Sequence, residues 1–226
     1  MNILALDTSA ASSSVALLDD EIIGAEFSLN RGGRHEETLL VTIDVLLAQA
    51  GITVGEIDLF SVTVGPGSFT GLRVGLATMK GFAFAMGKPI VAVSTLAALA
   101  ANLPHADTPV CSVLDARRGD VYTATYRIET GGLPAMIAGE RVTKPEELMA
   151  GMDGTVLFVG DGAILYEDLI RDRLVDRAVM APPTCNVIRA GTVGLIGLKK
   201  YRDGDILSPR ELVPRYLRSS YAGTGS

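Results

Sequence analysis

The sequence predicts an α/β fold built of two similar lobes, each with a mixed β-sheet and flanking helices. Three observations lead there. Leu6-Asp7 and Leu114-Asp115 each close a short apolar strand that is followed at once by another strand pattern. "VTVGPG" (62–67) and "LFVGDG" (157–162) then give Val-Gly-x-Gly after a buried strand in both halves, in the same order. Between these marks the first half opens with strand patterns and then alternates helix and strand, the pattern of helices packed on mixed sheets.

The elements follow in order. "NILALDT" (2–8), "SSVALLD" (13–19) and "EIIGAEFSL" (21–29) are short β patterns with tight connections. Leu39, Ile43, Leu46, Leu47 and Ala50 recur at spacings of three and four, which predicts a helix over 36–50. A buried strand over 57–64, a helix over 70–86, a strand over 89–94 and a helix over 95–102 complete the first half. In the second, "CSVLDARRGDVYTATY" sets two strands against each other, and a third ends near Gly139-Glu140. A helical pattern covers 186–201, and it and "PRYLRSS" (214–220) are candidates to pack back toward the first lobe. Two facing copies of a β-β-β-α-β-α unit are the plan of the duplicated actin-like, sugar-kinase-like (RNase H-like) ATPase superfamily, which binds nucleotide between its lobes. The division is 1–104 and 105–201, joined at "HADTP" (105–109), with 202–218 returning to the first lobe and 219–226 a flexible tail.

Composition bounds the rest. A chain of 226 residues is comfortable for two domains and buries roughly 70% of its unfolded surface. It is 48% hydrophobic with no Trp and 25 Gly, which suits closely packed layers of Ala, Val, Leu and Ile. A net charge of −6 argues against a surface that clings everywhere to nucleic acid and leaves a local basic patch open. Cys111 and Cys185 follow no metal spacing and are too few for a disulfide framework, which points to small buried hydrophobes in a reducing compartment. "MNILALDTS" reads as a strand without a basic lead, and no apolar run approaches about 18 residues. The expectation is a cytoplasmic protein with no membrane association.

The chemistry-bearing stretches mostly fail their motifs. "GPGSFTG" (65–71) follows a strand and opens a helix, the usual setting for phosphate. A P-loop needs G-x-x-x-x-G-K-[ST]; here the glycines stand one residue too far apart and Leu72-Arg73 replaces Lys-Ser. The dinucleotide fingerprint fails because its last glycine is Thr70. The loop then reads as a tight strand-to-helix turn, with Ser68 or Thr70 as the helix cap. The helix carries apolar residues all round, so it is either internal to the chain or packed on another one. Gly71, Gly75 and Gly81 each cost about 1 kcal/mol against Ala, which close helix approach explains. A second apolar stripe on the 36–50 helix, Val41, Val45 and Ala48, makes the pair read as an interface, with a thick core as the alternative.

"RHEETL" (34–39) lacks the second His of a zinc protease helix, and His105 is distant, so no metal site is expected. Ser68 lacks the G-x-S-x-G frame of a serine hydrolase, since Pro66 stands two before it. "LDTSAASSS" (6–14) stands where actin-like enzymes place an Asp and small hydroxyls around Mg²⁺ and phosphate. Asp7, Thr8 and Ser9 on one lobe, with Asp115, Arg117, Gly160 and Gly162 on the other, outline a nucleotide cleft. Thr8 and Ser9 fill places where a working enzyme keeps a Gly close after the Asp, so its phosphate chemistry reads as eroded. Lys199, Lys200, Arg202, Arg210, Arg215 and Arg218 outnumber the acids of 199–218, leaving RNA contact or a solvated face open.

Taken together, "ALDTS", "GPGSFTGLRVG", "LDARRGDVY", "VGDGA" and "PRYLR" resemble the bacterial TsaB (YeaZ) family over residues 2 to about 218. The family's usual "HSE" is "HEE" here, with Glu36 in place of Ser. The resemblance implies a dimerisation subunit of tRNA threonylcarbamoyladenosine (t6A) synthesis without catalytic residues of its own. It implies pairing with the catalytic sister TsaD, which carries a metal-binding His pair, or a homodimer in its absence. It further implies the ATPase TsaE as a partner, tRNA contact within the complex, and no cofactor beyond ATP or ADP with Mg²⁺ at the complex interface. The pairing would use Val41 and Val45 of the first long helix and Phe69, Gly71, Leu72, Arg73, Gly75, Met79, Gly81 and Phe82 of the second. On that reading Gly75→Leu abolishes pairing and leaves the fold intact. The competing reading is a small-molecule kinase or carbamoyl transferase acting alone through its own cleft.

Overall fold

The computed structural model describes residues 1–29 and 35–218, with only the backbone of 35–37. His35, Glu36 and Glu37 as side chains and the tail 219–226 lie outside the described residues. The first lobe runs β1 (Asn2–Asp7), β2 (Ser13–Asp19), β3 (Ile22–Leu29), α1 (His35–Ala50), β4 (Leu59–Gly65), α2 (Phe69–Met86), β5 (Ile90–Ser94) and α3 (Thr95–Ala100). The second runs β6 (Val110–Asp115), β7 (Val121–Ile128), β8 (Pro134–Thr143), α4 (Pro145–Leu148), β9 (Val156–Val159), α5 (Asp161–Leu165), α6 (Glu167–Leu174), β10 (Ala178–Met180) and α7 (Ala190–Arg202).

The two sheets share one topology. The orders are β3-β2-β1-β4-β5 and β8-β7-β6-β9-β10, each an antiparallel trio extended by two parallel strands. Each unit therefore holds five strands. β1 ends at Asp7 and β6 at Asp115, as the paired Leu-Asp steps predict. The differences are local. β8 runs through Gly139 and on to Thr143, because Arg141, Val142 and Thr143 still find partners along β7. The helix expected over 186–201 begins only at Ala190.

That last helix also changes the spatial division. Residues 190–201 follow the second lobe in the chain, but α7 lies on the first lobe's sheet, the return open to this helical pattern from the sequence. The backbone amide of Ala190 donates to Ser14 Oγ (3.0 Å), and Ser61 Oγ donates to the Val193 carbonyl (2.9 Å). Gly191, Gly194 and Gly197 rest on Ile23, Leu18 and Ser61, where a Cβ would fall within 3.0 Å of those side chains. The largest core cluster joins the lobes: Ile3, Ala5 and Val91 from the first sheet meet Leu96 and Leu99 of α3, and these meet Val110, Ala124 and Tyr126 of the second. Among the described residues no helix is long and apolar enough to cross a membrane.

Candidate functional site

Two features stand out, a cleft between the lobes and an uncovered helix face. The cleft encloses about 720 Å³ and is walled by the loop and first turn of α2 on one side and by β6, its hairpin and Asp161 on the other. Ser68 caps α2, its hydroxyl accepting from the Gly71 amide (3.2 Å), and Gly87 ends the helix with φ 63°.

The glycine loop is pressed onto the end of β1. The Ser68 amide donates to the Ser9 carbonyl (2.7 Å), and Thr8 Oγ1 donates to the Gly71 carbonyl (2.7 Å). A Cβ on Gly67 would strike the Ser9 backbone, one on Gly71 the Thr8 carbonyl, and one on Gly75 the Thr8 hydroxyl. Asp7 is fully buried, its Oδ1 accepting from the Ser9 amide (3.2 Å), Ser9 Oγ (2.5 Å) and Thr63 Oγ1 (2.6 Å). Where Thr8 and Ser9 meet the α2 loop, the protein's own hydroxyls and carbonyls bond one another, so the bare backbone that a phosphate group needs is not offered there. These residues do not fit the group.

Of the seven cleft residues read from sequence, Ser9, Asp115 and Arg117 line the cavity; Asp7, Thr8, Gly160 and Gly162 do not. Gly160 and Gly162 instead lie against Val113 and Leu114 of β6, much as Gly67, the counterpart of Gly162 in the repeat, lies against Ser9. Asp161, between them, lines the cleft, where the "VGDG" motif places it. Desolvation pushes its carboxyl above the usual range, while the Asp115 amide, donating at 3.0 Å, opposes this. Arg117 and Arg118 stand in the β6–β7 turn with φ 61° and 57°, uncommon for non-glycine residues. The Arg117 amide donates to Asp115 Oδ1 (2.8 Å), and its guanidinium pairs with the same carboxylate (3.2 Å). Among the described residues no group of three or more His, Cys, Asp or Glu comes together as a metal ligand set.

The helix face divides the ten residues read as an interface. Val41, Val45, Phe69, Arg73 and Gly81 are exposed, and Phe82 is half-buried with its ring stacked on Phe60 at 6.2 Å. Leu72 and Met79 are wholly buried, and Gly71 and Gly75 face β1, so these four belong to the chain's own core. Gly75→Leu is accordingly a folding mutation. Leu40 (59% exposed) and Phe84 (72%) extend the open face and were missed. At its N-terminal end Arg73 lies over the Phe69 ring, 3.8 Å from the centroid, and donates to the Tyr216 hydroxyl (3.2 Å).

The basic cluster of 199–218 is largely paired within the chain. Lys199 bonds Asp203, Lys200 bonds Asp205, Arg202 bonds Glu21, Arg215 bonds Glu140 and Arg218 bonds Asp120.

Relatives give this architecture a setting. The tRNA threonylcarbamoyladenosine biosynthesis proteins TsaB of Bacillus subtilis (strain 168) and Escherichia coli (strain K12) are each 31% identical to this chain, covering 98% of it and 96% of their own length. The chain belongs to the TsaB family. A family model described as TsaD, tRNA N6-adenosine threonylcarbamoyltransferase, matches residues 31–222, so TsaB shares its domain type with that transferase. The solved structure of YeaZ from Pseudomonas aeruginosa is 28% identical over 96% of this chain and 99% of its own, with a TM-score of 0.81. A ROK hexokinase from Thermus thermophilus, at 13% identity and a TM-score of 0.51 over 90% of this chain, shares the fold alone.

Proposed function

We propose that this protein is a non-catalytic accessory subunit of tRNA N6-threonylcarbamoyladenosine synthesis, acting at position 37 of tRNA by pairing with a TsaD-type catalytic chain. The observation that carries the reading is the open apolar face of α1 and α2, with Leu40, Val41, Val45 and Phe84 turned to solvent on a chain whose relatives are named for t6A biosynthesis. Large apolar side chains left exposed on two helices of one lobe point to a protein–protein contact. A chain of the same fold, carrying its own pair of helices, is the natural counterpart, and a second copy takes its place when that chain is absent. The TsaE-type ATPase joins this pair, tRNA is met by the assembled complex, and the whole works in the cytoplasm. ATP or ADP with Mg²⁺ acts at the interface of the complex, because Thr8, Ser9 and the α2 loop bond one another and offer no bare backbone to a phosphate group. The same bonding weighs against a kinase or carbamoyl transferase acting alone.

The deciding experiment is threonine incorporation into unmodified tRNA by the adenylate-forming enzyme, the catalytic chain and the ATPase, with and without this protein. Incorporation that requires this protein supports the reading. Incorporation indifferent to it, with active partners from the same cell, overturns it. Tight ATP–Mg²⁺ binding by the isolated chain, lost in Asp7→Ala, would favour the enzyme reading.

A further inference from the structure

We propose that the C-terminal segment 208–218 is a strap that crosses the mouth of the interlobe cleft and sets how far the two lobes stand apart. The segment is first fastened to the first lobe. Just ahead of it, the Leu207 amide donates to the Ile90 carbonyl at 2.9 Å and forms a β-bridge there. Leu212 is buried in the core beneath α2, and Lys80 Nζ donates to its carbonyl at 3.0 Å. The Arg215 amide donates to the Val64 carbonyl at 2.7 Å, beside the glycine loop.

From that point its side chains reach across. Arg215 Nη1 lies 3.0 Å from Glu140 Oε2 on β8, in the second lobe, and the Glu140 side chain is wholly buried. The other oxygen of that carboxylate accepts from Ser94 Oγ, at the end of β5 in the first lobe. Arg218 pairs with Asp120 and donates to the Ala116 carbonyl at 3.1 Å. Between the two arginines, the Tyr216 ring stacks on Phe69 at 5.0 Å. Phe69 and Ala116 stand on opposite walls of the cleft, so Tyr216 and Arg218 tie one wall to the other within three residues.

The two ties differ in kind. The Arg218–Asp120 pair is partly exposed on both sides, so solvent screens it and it holds modestly by itself. Arg215 is another matter, because its removal leaves a buried carboxylate without its countercharge and penalises the closed arrangement. Opening the lobes would hydrate Glu140 and relieve that penalty. Strap release and cleft opening are therefore one event.

The test uses the full chain with Cys185→Ser and spin labels at Gln49→Cys on α1 and Asp168→Cys on α6, both exposed positions on different lobes. The interlobe distance distribution is read by pulsed dipolar spectroscopy in this parent, in Arg215→Ala/Glu140→Gln, in Arg218→Ala and in Arg218→Lys. The double variant removes the buried carboxylate's charge together with its exposed partner, and Arg218→Ala changes a partly exposed side chain should the double variant not fold. The parent should show one narrow distribution, the two Ala variants should broaden to longer distances, and Arg218→Lys should return toward the parent. Folded variants whose distances match the parent, even with a lowered melting temperature, would overturn the strap.

Discussion

Gly75 and Gly81 sit six residues apart on one helix and face different worlds. Six steps of about 100° turn the helix by about 240°, so the two cannot share a stripe, although both read as helix-contact glycines in the sequence. Gly75 lies on the Thr8 hydroxyl, whereas a Cβ on Gly81 would meet nothing within 4 Å. Gly75→Ala should therefore lower stability by about 1–3 kcal/mol in urea denaturation, while Gly81→Ala should leave it unchanged or raise it by up to about 1 kcal/mol. Equal effects at the two sites would contradict the packing. The same contrast of surroundings separates the cysteines. Burial pushes the Cys111 thiol up to about 11, so it stays protonated and shielded at pH 8, while Cys185 is half-exposed. A thiol reagent at that pH should count one reactive sulfur in the folded protein and two in denaturant.

At the scale of elements, α2 shows where sequence patterning stops. Apolar residues all round predict a helix with no side turned to water, and the inner side agrees: Leu72, Leu76, Met79 and Ala83 are buried. The outer side is open, with Ala77, Gly81, Phe84 and Ala85 exposed. Composition alone cannot tell a helix enclosed by its own chain from one enclosed by another. If the outer side docks on a partner, Val41→Asp with Phe84→Glu should abolish co-elution with the catalytic chain and leave the melting temperature within a few degrees of the parent. Retained co-elution would remove α1 and α2 from the interface. Other elements were hard to read for plainer reasons. β10 has only three residues, too short for an alternation to show, and α6 carries two buried residues, Ile170 and Leu174, in a charged stretch. The small-residue period of α7, Gly191, Gly194 and Gly197, was in the sequence, but what it packs against depends on the chain turning back to the first sheet.

For the whole molecule, duplication was legible because it repeats short marks in a fixed order, and the two sheets repeat it strand for strand. Legible boundaries do not make independent bodies, however. α3 lies in a core that includes residues of both sheets, and α7, late in the chain, covers the early sheet. Calorimetry should accordingly show one cooperative transition with matching calorimetric and van't Hoff enthalpies. Two separable transitions would mean that the lobes stand alone. The cleft was legible as a place, while four of its seven expected residues stand behind its walls: Asp7 and Thr8 bond their neighbours, and Gly160 and Gly162 pack on β6.

The bond from the Thr8 hydroxyl to the Gly71 carbonyl has a consequence for any redesign of the pocket. Thr8→Gly would supply the bare backbone that a phosphate needs, and would in the same step untie the first turn of α2 from β1. A phosphate cradle and the helix anchor compete for one position. A single substitution cannot give the hollow the first without taking away the second.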